Sequence, residues 1–190
     1  MSELDGQANL LGALALVITD QTAQVAVAAA GQSVSAASAL SALHHFLDRP
    51  TLDQLRQVLG LTPSGAVRLV DRLAAAGLVT RGPGGDGRSR SVILTEEGQR
   101  AAERITAARG AVLSGALDQL SRPDRQTLYT LMSQIMTGLV CGKDGGAWIC
   151  RLCDLGACGR AAGRCPAANA AAAKYAGPRP SPEPAAAGAD

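Results

Sequence analysis

The sequence predicts a mainly α-helical fold carrying one small β-hairpin, and three observations predict it. Aromatic residues make up only 2% of a chain that is 47% hydrophobic, so the core must be built from Ala, Leu, Val and Ile, which favours packed helices over a large sheet. Apolar residues recur at helical spacing through most of the first 140 positions. A single glycine-rich stretch, 82–90, separates two short β-compatible runs. With 190 residues, the chain accommodates one folded domain plus appendages.

The elements follow in order. From Asn9 to Ala30, Leu10, Leu14, Val17, Ile18, Val25 and Ala28 keep helical spacing and Gly31 ends the pattern. Ser33 or Ser35 can cap a short second helix through Ala39, Leu40, Leu43 and Phe46, which stops at Asp48-Arg49-Pro50 because Pro disfavours a helical residue before it. Thr51 can cap a third, with Leu52, Leu55, Val58 and Leu59 on one face and Gly60 at its end. Thr62, with Pro63 at the first helical position, starts a fourth across a tight turn. This helix is expected to carry Val67, Val70, Leu73 and Ala74 inward and Arg68 and Arg72 outward, ending at Gly77.

Leu78–Arg81 and Ser91–Leu94 then form the hairpin, or wing. Thr95 caps a long helix bearing Ile105, Ala108, Val112, Leu113, Ala116, Leu117 and Leu120. Ser121-Arg122-Pro123-Asp124 resembles a capping box. It opens a last helix expected to bury Leu128, Leu131, Met132, Ile135 and Leu139. After Val140 the periodicity ends, giving a folded segment over 1–140, a cysteine-rich segment over 141–175 and a Pro-, Ala- and Gly-rich tail over 176–190 expected to be disordered.

The net charge of +2 does not announce a nucleic-acid partner. Locally the balance differs: from Arg49 to Arg90 there are seven arginines and three acids, Asp53, Asp71 and Asp86. The apolar run Leu10–Ile18 is about half a bilayer span and follows Glu3 and Asp5 rather than a basic start, so neither a membrane anchor nor a signal peptide is expected. All five cysteines fall between Cys141 and Cys165, the wrong distribution for disulfides stapling a secreted domain, which favours the cytoplasm.

Two helices across a tight turn followed by a hairpin make a winged helix-turn-helix. Leu61-Thr62-Pro63-Ser64-Gly65-Ala66-Val67-Arg68-Leu69-Val70-Asp71-Arg72-Leu73, then Gly77-Leu78-Val79-Thr80-Arg81, then Asp86-Gly87-Arg88-Ser89-Arg90-Ser91-Val92-Ile93-Leu94-Thr95-Glu96-Glu97-Gly98, resembles the MarR family of transcriptional regulators over roughly residues 8 to 140. The resemblance implies a homodimer joined through its first and last helices, with two wings straddling one pseudo-palindromic operator in double-stranded DNA. The expected function is repression released by a small ligand, a metal or a redox signal, and the resemblance places small effectors near His44 and His45; the plainer role of the two histidines is as polar groups at a helix C-terminus.

A recognition helix offers its N-terminal side chains to base edges in the major groove while the wing follows the backbone or minor groove. Ser64, Gly65 and Arg68 are therefore the base-side candidates, Thr62 a further DNA-binding candidate at the helix start, Arg72 a phosphate contact, and Asp86, Arg88 and Arg90 the wing. The competing account of each is a solvated helix face, a glycine merely tolerated in a first turn, or a flexible hairpin.

Cys150, Cys153, Cys158 and Cys165 give C-x2-C-x4-C-x6-C, with Gly156, Gly159, Gly163 and Pro166 permitting the turns that let four thiolates converge. Zinc is the first choice of ligand and an iron–sulfur cluster, tolerant of uneven spacing, the alternative. Reactive thiols or unliganded cysteines would account for the same pattern, with Cys141 a spare thiol or substitute ligand. No nucleophile with its base and no phosphate-binding glycine loop opening a helix argues for an enzyme; a thiol oxidoreductase built on Cys150 and Cys153 would lack its βαβ surroundings. The runner-up function is a winged-helix protein-interaction module without specific DNA binding.

Overall fold

A computed structural model of the chain describes residues 3–83, 90–142 and 147–175. Among them are α1 (Glu3–Ala30), α2 (Val34–His45), α3 (Leu52–Leu59), α4 (Pro63–Ala75), β1 (Val79–Pro83), β2 (Arg90–Leu94), α5 (Glu96–Leu117), α6 (Arg122–Gly142) and α7 (Pro166–Tyr175), with short 3-10 helices at Ala147–Leu152 and Arg160–Ala162. The predicted tail, 176–190, lies outside the described residues.

Side-chain caps set the helix starts. Ser33, rather than Ser35, accepts from the Ala36 amide, and Thr51 forms a capping box with Gln54. Thr62 accepts from the Gly65 amide and Thr95 from that of Gly98. Each such cap contributes about 1 kcal/mol by satisfying an orphan amide. Gly60, in the left-handed region at φ +66, closes α3 by donating to Arg56 and Gln57 carbonyls, and so fixes the turn into α4.

The core lies where α2 to α5 meet. Leu40, Leu55, Leu69, Leu73 and Ile105 are all fully buried, and Ala37, Ala39, Ala101 and Ala102, equally buried, let helix backbones approach closely where aromatic side chains would hold them apart. On α4 the buried stripe is Ala66, Leu69, Val70 and Leu73, whereas Val67 and Ala74, expected inward, are exposed. The observed set is the i, i+3, i+4, i+7 stripe, rotated by one position from the expected one because small Ala66 can take the innermost place.

Two further expectations are corrected. Of the residues α6 was expected to bury, Leu131, Met132, Ile135 and Leu139 are exposed and Leu128 is half-buried; periodicity identifies an apolar face but not what covers it. α1 begins six residues before the predicted start and runs 28 residues, long and apolar enough to cross a membrane by length and composition. Counting only the uninterrupted run Leu10–Ile18 missed this, because the polar residues around it are uncharged or sparse. Its C-terminal part packs on α5 and α2.

The segment after α6 is more ordered than a loop: the 3-10 helix Ala147–Leu152 packs on α2 and α3, and α7 lies against α6. α7 was unexpected because six of its ten residues are alanine and it carries no amphipathic pattern; Pro166, with φ preset for a first helical turn, is its one start signal.

Candidate nucleic-acid interface

The outer face of α4 is set by what its inner face buries. With Ala66, Leu69, Val70 and Leu73 inward, Ser64, Arg68, Asp71 and Arg72 are left on the exposed side. Asp71 is ion-paired with Arg81 of β1 at 2.5 Å, which offsets the one negative charge on this face. Among the described residues Arg68 and Arg72 have no ion-pair partner, so both are free for an external anion. Arg56 on α3, by contrast, is tied to Asp53 at 2.6 Å.

At the N-terminus of α4, Thr62 accepts from the Gly65 amide at 3.1 Å with its hydroxyl oxygen, leaving the hydroxyl proton for another acceptor. A Cβ on residue 65 would sit 3.0 Å from that oxygen. Glycine here keeps the cap uncrowded, a structural reason that spacing alone did not reveal.

The hairpin is anchored on three sides. β1 and β2 pair antiparallel from Val79↔Leu94 to Pro83↔Arg90. On the other edge of β2, Val92 donates to the Pro50 carbonyl at 2.9 Å, and Thr51 bridges Ser91. Ser91 is fully buried and donates to the Pro83 carbonyl at 3.0 Å. At its base the Thr95 hydroxyl donates to the Gly77 carbonyl at 2.6 Å, and the Thr95 amide to that of Leu78 at 3.1 Å. Gly98 belongs to this junction, since a Cβ there would meet the Leu78 oxygen at 1.9 Å. The wing is thus fixed to both α3 and α5.

Of the wing candidates, Arg90 is exposed at the tip end of β2, while Asp86 and Arg88 lie outside the described residues. Arg90, Arg81 and Val70 of α4 line one cavity of about 320 Å³, so the hairpin and α4 meet there. The Asp71–Arg81 pair was missed by sequence reading because its partners are ten positions apart on different elements.

A second cavity, of about 420 Å³, is bounded by Leu43, His44, His45, Arg49, Ile93 and Gln99 among others. Arg49 holds a left-handed backbone at φ +46, which turns the chain into Pro50. His44 Nδ1 is buried without a hydrogen-bond partner among the described residues. Thr106 gives its hydroxyl proton to the Ala102 carbonyl, so the 3.0 Å contact between Thr106 Oγ1 and His45 Nε2 is a bond that the imidazole donates. Burial, then the neighbouring His44, lowers the His45 pKa from its ordinary 6.5, against a smaller opposing pull from Asp154.

In the cysteine segment, Cys150, Cys153, Cys158 and Cys165 are free thiols, all half-buried; the Cys141 side chain lies outside the described residues. Burial pushes the Cys150 and Cys153 thiols up. Arg160 Nη1 lies 3.7 Å from Cys150 Sγ, and Arg109 of α5 donates to the Leu152 carbonyl.

Residues 30–89 match the family model of the MarR family. No curated protein sequence matches the chain. Among solved structures, Rv1404 from Mycobacterium tuberculosis is similar at 21% identity and a TM-score of 0.61, over 73% of this chain and 95% of that one. A mutant of Staphylococcus aureus MepR bound to an oligodeoxyribonucleotide matches at 17% identity and a TM-score of 0.54, over 70% and 97%. The M. tuberculosis MarR family protein Rv2887, in complex with p-aminosalicylic acid, matches at 21% and 0.52, over 67% and 96%. These likenesses establish a winged-helix fold of the MarR type.

Proposed function

We propose that this chain, whose residues 30–89 are a MarR-family segment, is a sequence-specific DNA-binding transcriptional regulator acting as a homodimer. The observation that carries the reading is the outer face of α4. Its start is fixed by the Thr62 cap, its one acid is neutralised by Arg81, and Arg68 and Arg72 stand exposed beside a wing bearing Arg90. Arg68, nearer the N-terminus, reads a base edge, and a bidentate contact to guanine is worth about 1–3 kcal/mol of discrimination. Ser64 and Gly65 sit at the same end; Arg72 holds a phosphate, and at the wing Arg88 and Arg90 reach the DNA backbone or minor groove while Asp86 helps hold the loop in this reading. The oligodeoxyribonucleotide bound to the MepR mutant supports the assignment by analogy of fold.

Dimerisation covers the faces that one protomer leaves open. Leu10, Leu14 and Val17 of α1 and Leu131, Ile135 and Leu139 of α6 are exposed, and two apolar stripes on terminal helices are what a self-complementary pair buries. The same cover accounts for the apolar length of α1 without a membrane. Such a protein works in the cytoplasm. The cavity beside His44, His45 and Arg49 is the effector site, and its two imidazoles and guanidinium suit a small aromatic acid of the kind in the Rv2887 complex. The reading assigns repression relieved by that ligand and no catalytic step.

The test is a duplex selected by the protein from random sequence, measured by fluorescence anisotropy against a mixed-sequence duplex. Arg68→Ala should weaken the selected duplex about 10- to 100-fold and the mixed one far less. Equal binding of both duplexes by the parent protein would overturn the reading in favour of a protein-interaction module.

A further inference from the structure

We propose that Cys150, Cys153, Cys158 and Cys165 ligate an iron–sulfur cluster whose presence braces α2 and α3, with Arg109 and Arg160 as the cationic donors to its sulfurs. Zinc, the first choice on spacing, would need its four sulfurs about 3.8 Å apart, from Zn–S bonds of about 2.3 Å in a tetrahedron. Among the described residues no three His, Cys, Asp or Glu side chains stand together closely enough to hold one metal ion. Yet successive tight turns keep the four cysteines within one compact segment: the Cys153 amide donates to the Cys150 carbonyl at 2.9 Å, that of Cys158 to Asp154 at 3.0 Å and that of Arg164 to Gly159 at 3.0 Å. A cluster of several irons and sulfides sets its thiolates further apart than a single ion does, and its cysteine spacings are characteristically uneven, with a Cys-Pro closing some of them, as Cys165-Pro166 closes this one.

The surroundings point the same way. Four thiolates on a cluster carry net negative charge, and hydrogen bonds to the sulfurs tune and hold it. Arg160 Nη1 already stands 3.7 Å from Cys150 Sγ. Arg109 is more telling: it comes from α5, donates through Nη1 to the carbonyl of Leu152, the residue before Cys153, and its Nε is buried with no partner among the described residues. A buried, unpaired guanidinium nitrogen is costly unless an anion faces it. Gly159 and Gly163, both left-handed at φ +67, bend the chain between Cys158 and Cys165 back on itself.

Cys150 belongs to the 3-10 helix that packs on α2 and α3, and α7, directly after Cys165, packs on α6. One centre therefore ties the segment that supports the recognition helix to the last long helix. Loading would stiffen this region, and any consequence for DNA affinity rests on the regulator reading above, whereas the cluster itself does not.

The full chain, reconstituted anaerobically with ferric iron, sulfide and a thiol reductant, should become brown and hold iron and acid-labile sulfide in equal amounts. Cys150→Ser, Cys153→Ser, Cys158→Ser and Cys165→Ser should each lose the colour, and Cys141→Ser should keep it. Far-UV circular dichroism matching the parent excludes misfolding as the cause. Loading should also slow amide exchange across residues 34–59 about tenfold, a readout that needs no DNA. Stoichiometric zinc in a colourless protein, or no bound metal, would overturn the cluster; a cluster that leaves exchange at 34–59 unchanged would overturn the bracing.

Discussion

Between α2 and the first half of α5 the apolar stripes find cover inside one chain, whereas on α1 and α6 they do not: Leu40, Leu55, Leu69, Leu73 and Ile105 are under 2% exposed, but Leu10 and Leu139 are 70% and 66% exposed. The first region needs only itself to be stable. In the proposed dimer the second is covered by a partner, and its stability then depends on protomer concentration. Substitutions should therefore behave differently in the two regions.

The largest effect is expected inside the closed region, at Gly98. An added methyl would lie 1.9 Å from the Leu78 carbonyl oxygen, backbone against backbone, at the junction where Thr95 also binds Gly77 and Leu78. Neither side can yield by rotating a side chain. Gly98→Ala should cost about 3 kcal/mol or more in urea titration, equally at high and low protein concentration. A loss confined to dilute samples would mean that the wing junction is held together across the dimer.

The next effect belongs to the open region. Leu131→Asp combined with Ile135→Asp places charges on the exposed face of α6, where burial against a partner would cost several kcal/mol per unpaired charge. Sedimentation should move from dimer to monomer, while the helical signal of residues 34–105 persists. An unchanged parent-like dimer would place the interface elsewhere.

The same division explains how much of the molecule was legible in its sequence. Thr51, Thr62 and Thr95 act locally, each bonding an amide three residues on, so the starts of α3, α4 and α5 could be placed almost to the residue, unlike that of α1. Arg68 and Arg72 were correctly turned outward because helical period is a local property too. The phase of α4 slipped by one position because Ala66 and Val67 are both acceptable inside, and only packing against neighbours chooses between them. The exposure of α6, the Asp71–Arg81 pair and the burial of Arg109 Nε all depend on contacts between distant residues or on a second chain, about which spacing is silent.

A smaller effect tests the proposed DNA-binding surface without disturbing either region. Arg72 is exposed and free of ion pairs among the described residues, so Arg72→Ala should leave stability unchanged. Loss of one phosphate contact per protomer should lower the slope of log affinity against log salt by about 0.9 for each. An unchanged slope would remove Arg72 from the phosphate contacts.

The smallest expected effect lies where the closed region meets the cysteine segment. His45 on α2 donates to Thr106 on α5 and feels both His44 and Asp154. Its pKa in the folded protein is lowered, burial being the largest cause and the charge of His44 the next. The unfolded chain therefore binds a proton more readily, and stability contributed by neutral His45 is present above pH 6.5 and is lost as pH falls from there toward the folded value. The change is modest because the ring is only partly buried and its charge is screened. The melting temperature should fall slightly more between pH 7.5 and 5.5 in the parent than in His45→Gln, which retains an amide N–H to donate to Thr106 but cannot be protonated. Identical pH profiles would show that His45 carries the same proton affinity folded and unfolded, and that Asp154 offsets the burial in full.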